Sequence, residues 1–266
     1  MKQFVTRLFS EKNSNLHIDL FNIWHLLYLF VIIEGTIILA LIFSKKSPKV
    51  KEKVLRLFAY LTIGFYIADF FIMPLSDSYS GISQDKLPFH ICTFMGVFSA
   101  FAQFNPKFKP IKSTIVVLSI AGTIMWMCYP GSALGGEPPF CYKIFQTFMY
   151  HGLLFCWGVL NLAFGEVKLS LKNLWHEAIA VVGLIIWAFF GNTVYNDQNW
   201  LFINNSIFPF LKDEYMIPVV WFCITGTCFI VYCIYYLVLA ILKHHKNIDK
   251  KEHTKKAIEE KVEITV

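Results

Sequence analysis

Cys92 and His151 are the two residues of this sequence whose types and placement suit covalent chemistry together. A thiol attacks a carbonyl carbon once a neighbouring base takes its proton, and histidine serves well as that base. Cys92 stands in "KLPFHICTF", residues 86–94, where an apolar run begins after a proline, and His151 stands in "FMYHGLLF", residues 148–155. Both stretches read as membrane segments. A charged group at the centre of such a segment costs about 2.5–3.5 kcal/mol even on the mildest scale, so ionisable residues there face the bundle interior and mark sites.

Depth groups them further. With the nearest charged residue as an interface marker and ~1.5 Å of rise per residue, Cys92 lies roughly 9 Å below Lys86, and His151 and Asp69 lie roughly 12 Å below Lys143 and Asp77. Asn192 lies roughly 8 Å below Asp197 on the same scale. Helical spacing places Cys92, Gly96, Ser99 and Gln103 on one small and polar stripe, Thr147, His151, Gly158 and Asn161 on another, and Thr62, Tyr66 and Asp69 on a third. Stripes of this kind face other helices or a wet interior, and packing alone is enough to explain their small residues. His90 and Cys92 are about 200° apart at 100° per residue, so they do not share a face. His90 is expected to cap or orient the helix start, donating to a loop carbonyl or to Asp69. Pro88 suits the first helical turn, where free amides make the local field positive. Cys92, placed slightly beyond that turn, feels part of it. The other histidines fall near the ends of apolar segments or in the tail.

The elements that must position these residues are long and apolar. Of 266 residues, 56% are hydrophobic, 17% aromatic and only 16% charged, with a mean hydropathy of +0.53. Soluble domains carry about 25% charged residues. Stretches long enough to span, about 17–25 residues, fall at 24–43, 54–74, 87–104, 111–129, 142–163, 174–192 and 217–242, the third being the shortest. The expected fold is all-α, a polytopic membrane protein built as a seven-transmembrane-helix bundle over residues 24–242. Residues 1–23 form an N-terminal extracytoplasmic or interfacial segment and residues 243–266 a basic cytoplasmic tail. The first apolar run is too long for a signal-peptide core and reads as an uncleaved helix. Eighteen of the 24 Lys and Arg fall in the first, third and fifth loops and the tail, which predicts N-terminus out, C-terminus in. The seven cysteines include no CxxC pair, arguing against a disulfide framework or zinc ribbon. No basic stretch is interleaved with exposed aromatics, so the +6 net charge is a topology signal and nucleic acid is not an expected partner.

"LPFHICTF" (87–94), "FMYHGLLF" (148–155), "FGNTVYNDQNWLFI" (190–203) and "LFNIWHLLYL" (20–29) resemble the YwaF-type integral membrane proteins. That family has a Leu-Pro-x-His-x-Cys helix start, a His-Gly further on and a Gly/Asn…Tyr…Asn block, and the resemblance runs over nearly the whole chain. The family is distantly similar to eukaryotic multi-pass lipid acyltransferases, in which a membrane-embedded cysteine and histidine carry an acyl group between phospholipids. By motif, the cysteine falls on Cys92 and the histidine on His151. Thr93 departs from the closest bacterial pattern, where an acidic residue is common, and leaves Asp69 as the carboxylate that could take its place.

Two classes of function follow. In the first, Cys92 attacks a lipid ester, His151 takes its proton and a thioester passes the acyl chain to an alcohol or water. Asn192 or backbone amides near Pro88 donate to the oxyanion, and Asp69 or Tyr66 orients His151. The substrate is then a membrane phospholipid or acyl ester, with no cofactor, in the cell membrane. In the second, the polar layer belongs to a transporter, sensor or assembly factor and binds a small ligand or lipid headgroup. A retinal protein is excluded because the last span holds no lysine for a Schiff base. A metal held by His90, His151 and Asp69 stays open, although no helix offers paired ligands four residues apart.

Overall fold

A computed structural model describes residues 17–72, 74, 84–131, 138–195, 197–206 and 210–263. Seven α-helices run through them: α1 (Ile23–Ser44), α2 (Pro48–Ile72), α3 (Ile91–Phe104), α4 (Lys112–Cys128), α5 (Tyr142–Ala163), α6 (Leu174–Val194) and α7 (Met216–Glu263). No strand occurs among the described residues. The helices alternate in direction. The loops after α1, α3 and α5 gather at one end with most of the lysines, and side-chain bonds such as Gln103 Nε2 to Glu52 (3.2 Å) and Thr114 to Glu177 (3.2 Å) tie that basic end together.

Five helical segments are long and apolar enough to cross a membrane: Ile23–Ser44, Pro48–Ile72, Pro106–Cys128, Leu171–Val194 and Asp213–His245. Their outer faces leave Phe30, Phe71, Ile179 and Phe222 exposed. Soluble monomers seldom expose a continuous apolar surface, whereas lipid covers it at no cost. The chain is a multi-pass, all-helical membrane protein. α4 and α5 lie at its centre, with buried runs from Ile115 to Thr123 and from Phe148 to Asn161. α1 sits at the edge against α5, where Gly152 gives Ile32 room: an added Cβ would lie 2.9 Å from that side chain. Thr36 Oγ1 and Cys156 Sγ, 2.7 Å apart, fasten the same seam.

The third expected span starts later than its apolar run. Residues 87–90 form a turn rather than helix, so Pro88 lies before the first helical turn instead of in it. The reason is tertiary. The Phe89 ring is buried against Trp187 and Trp200, at centroid distances of 5.0 and 4.6 Å, and over Gly191, whose missing Cβ leaves room for it. A helix continuing back through Phe89 would swing the ring out of this slot. At 14 residues, α3 is about 21 Å long, short of the ~30 Å hydrocarbon core. Its C-terminus lies at the basic end, so its N-terminus stops inside the bundle. α7 continues as helix through the basic tail to Glu263.

Candidate active site

Cys92 is the second residue of α3, inside the first turn rather than beyond it, because the helix begins at Ile91. The N-cap position is His90, extended at φ −85° and ψ 150°, and its side chain makes no capping bond. The first backbone bond into the helix runs from Phe94 N to His90 O, at 2.9 Å. The amides of Ile91, Cys92 and Thr93 therefore have no intrahelical acceptor, and none is seen among the described residues. Burying such donors without partners costs about 1–3 kcal/mol each. Here they sit beside a thiol.

His151 is held from three sides. Its Nδ1 lies 2.7 Å from the Thr147 carbonyl oxygen. A carbonyl only accepts, so Nδ1 carries the proton and the neutral ring keeps its lone pair on Nε2. Trp126 of α4 stacks flat on the ring, at 3.7 Å between centroids and 8° between planes, and Tyr150 meets it edge-on at 5.3 Å. Lys86 and His90 are near enough to act on the ring electrostatically.

Tyr150 joins the two candidates. Its hydroxyl donates to the Cys92 carbonyl oxygen at 2.8 Å, so the residue next to His151 touches the backbone of Cys92. This contact needs Gly96, since a Cβ at that position would collide with the Tyr150 hydroxyl. The small-residue stripe on α3 is thus shaped to admit a tyrosine from α5. Cys92 and His151 are both closed to solvent, at 6% and 7% exposure.

The supporting residues fall differently from expectation. Asp69, 2% exposed, forms an ion pair with Lys86 Nζ at 3.1 Å and accepts from the Tyr142 hydroxyl at 3.0 Å. Lys86, an interface marker in the sequence reading, is instead drawn into the bundle. Tyr66 donates to the Lys86 carbonyl at 2.8 Å. Asp69 and Tyr66 therefore hold the segment leading into α3, and the Thr147 carbonyl takes the orienting role on His151. His90, expected to donate to a carbonyl or to Asp69, presents Nδ1 at 3.5 Å to the Leu201 amide as acceptor. Asn192 is engaged at both ends by one residue: its Nδ2 donates to Trp200 O at 3.1 Å, and its Oδ1 accepts from Trp200 N at 2.7 Å. This clamp fixes the loop after α6. Thr93, where a carboxylate was of interest, donates to the His90 carbonyl at 3.0 Å and stiffens the turn. Among the described residues no three His, Cys, Asp or Glu side chains gather as metal ligands would.

Residues 20–239 match the TMEM164 family. The chain belongs to it. The match covers most of the sequence and bears out the expectation of a multi-pass membrane family; it does not itself carry the YwaF-type name. Neither a curated protein nor a solved structure matches the chain.

Proposed function

We propose that this member of the TMEM164 family is a membrane-embedded lipid acyltransferase or lipid ester hydrolase with Cys92 as nucleophile and His151 as base. The observation that carries the reading is the pairing of a buried thiol with three unpartnered amides at the uncapped start of α3. The tyrosine beside His151 reaches back to the same residue. A cluster of amide donors with no acceptor among the described residues is what a developing oxyanion requires, because such donors cost no reorganisation when charge forms.

The steps balance as follows. Cys92 Sγ bonds to the ester carbonyl carbon while its proton passes to His151 Nε2. The carbonyl oxygen, now an oxyanion, is held by the amides of Ile91, Cys92 and Thr93. Collapse breaks the ester C–O bond, and the leaving alkoxide takes the proton from His151. An acceptor alcohol, or water, then gives its proton to Nε2 and attacks the thioester, and the thiol is regenerated by the reverse transfer. Acyl chains reach the thiol between helices, so a site closed to water suits them. The charge bias of the segments between helices supports a layer in the extracytoplasmic half of the cell membrane, with the N-terminus out and the C-terminus in.

The test is covalent trapping. Full-length protein incubated with a phospholipid carrying an alkyne-tagged acyl chain should acquire a hydroxylamine-labile label, absent from Cys92→Ala. His151→Ala should lower the labelling rate by about 10²–10⁴-fold, the usual worth of a general base. Cells expressing wild type and Cys92→Ala should differ in their lipid profiles. No label together with identical profiles would assign the polar layer to ligand binding or transport.

A further inference from the structure

At the basic end, far along α3 from Cys92, the bundle holds a cavity of about 410 Å³ that the proposed chemistry does not use. Four chain segments contribute a cation each: Arg56 from α2, Lys109 from the turn before α4, Lys112 from α4 and Lys168 from the loop after α5. Glu52 and Glu166 also line it, so basic groups outnumber acidic ones by two to one. Glu52 is already engaged, accepting from Arg56 Nε at 2.7 Å and from Gln103 Nε2 at 3.2 Å. The floor is pre-built. Gln103, 7% exposed, also accepts from Lys112 Nζ at 3.3 Å and from Trp157 Nε1 at 3.1 Å, which fixes Lys112 with its charge toward the cavity. The ammonium groups of Lys109 and Lys168 have no hydrogen bond or ion pair among the described residues, and both residues are exposed at the mouth.

The mouth lies where a bilayer interface would fall. Tyr60 packs on Phe104 at 4.3 Å, Phe101 stacks on Phe108 at 5.4 Å, and Arg56 lies 5.9 Å over the Phe104 ring. Aromatic rings beside lysines and arginines mark the headgroup level. A concave site there, with an excess of cations and two uncommitted ammonium groups, is complementary to a lipid phosphate. We propose that this cavity binds the phosphate of an anionic phospholipid headgroup, in the leaflet opposite to the Cys92 layer. The site is independent of the acyl-transfer reading.

The purified full-length protein in a neutral detergent supplies the test, read as thermal stability against added ligand. Phosphatidic acid or phosphatidylglycerol should raise the unfolding temperature in a saturable way, and phosphatidylcholine should not. The Lys109→Ala/Lys168→Ala variant should need about thirtyfold more anionic lipid for the same shift, the loss expected for two cations near a charged headgroup. A control with equal charge loss outside the cavity, Lys46→Ala/Lys49→Ala, should respond as wild type. Equal weakening in the control would make the effect one of surface charge and overturn the site. Stabilisation by glycerol 3-phosphate or inorganic phosphate as strong as that by lipid would overturn the lipid source. An unchanged response of the cavity variant would overturn the site.

Discussion

At the scale of single residues, the Asp69–Lys86 pair decides how the approach to α3 is held. A carboxylate at 2% exposure and an ammonium at 19% support one another at 3.1 Å. Removing one partner leaves the other buried and uncompensated, at a cost of about 3–5 kcal/mol. Asp69→Ala should therefore lower the unfolding temperature of the solubilised protein sharply and abolish function, while Asp69→Asn keeps an acceptor for Tyr142 and retains some of both. The double variant Asp69→Ala/Lys86→Met should recover much of the stability. If it stays as unstable as the single variant, the ion pair is not what Asp69 contributes. Gly96 gives a second test. Gly96→Ala puts a methyl group onto the Tyr150 hydroxyl, and overpacking of this kind costs about 1–3 kcal/mol. Tyr150→Phe alone loses one hydrogen bond, worth about 1 kcal/mol, so it should melt above Gly96→Ala. The reverse order would mean that α3 and α5 separate easily at this point. These residues were only partly legible in the sequence. The faces bearing Cys92, His151, Asp69 and Tyr66 follow from helical spacing, and all four are buried. The partner of Asp69 was hidden, because Lys86 belongs to a loop whose path no periodicity describes. The Thr147 carbonyl was hidden too, since a backbone acceptor has no residue type to announce it.

At the scale of elements, the apolar runs located the helices, and the ends were set by packing that the runs do not encode. α1, α4, α5 and α6 lie within two residues of the expected spans at each end, and α2 starts six residues earlier. That extra turn and a half carries Lys49, Lys51, Lys53 and Glu52, charged residues that a hydropathy criterion rejects but a helix tolerates on its solvated end. α3 starts late because Phe89 is committed to α6 and to Trp200. The loop carrying Trp200 is in turn tied to α6 through Asn192. Asn192→Ala removes both bonds to the Trp200 backbone and leaves two buried backbone groups unmet, a loss of about 2–6 kcal/mol at about 1–3 kcal/mol per group. Hydrogen exchange should accelerate over residues 197–206 and in the turn 87–90, with the centre of α5 unaffected. Acceleration confined to the Trp200 loop would mean that Phe89 holds the start of α3 unaided.

At the scale of the whole molecule, the two ends differ in charge, and that difference predicts which leaflet each end faces. The segments 44–56, 105–113 and 164–173, which are the turns after α1, α3 and α5 with the helix starts that follow them, and the tail from 243 hold 18 of the 24 basic residues. The bias appears in each short loop separately, the regime in which positive charge best governs orientation. The buried Cys92–His151 layer lies toward the opposite end and the cationic cavity at the basic one, so a single sidedness measurement places both. Cys141 is a poor reporter, being 5% exposed against Ile144 and Phe148. Lys212, whose side chain is 77% exposed between α6 and α7, and Ser47, exposed between α1 and α2, suit the purpose better. With the exposed Cys128, Cys223 and Cys233 replaced by serine, a cysteine at position 212 should react with an impermeant maleimide added to intact cells. A cysteine at position 47 should react only after permeabilisation. If position 47 labels from outside while position 212 is protected, the bundle is inverted. The acyl donor would then be drawn from the cytoplasmic leaflet, and the phosphate-binding cavity would have to recruit its lipid from the outer one.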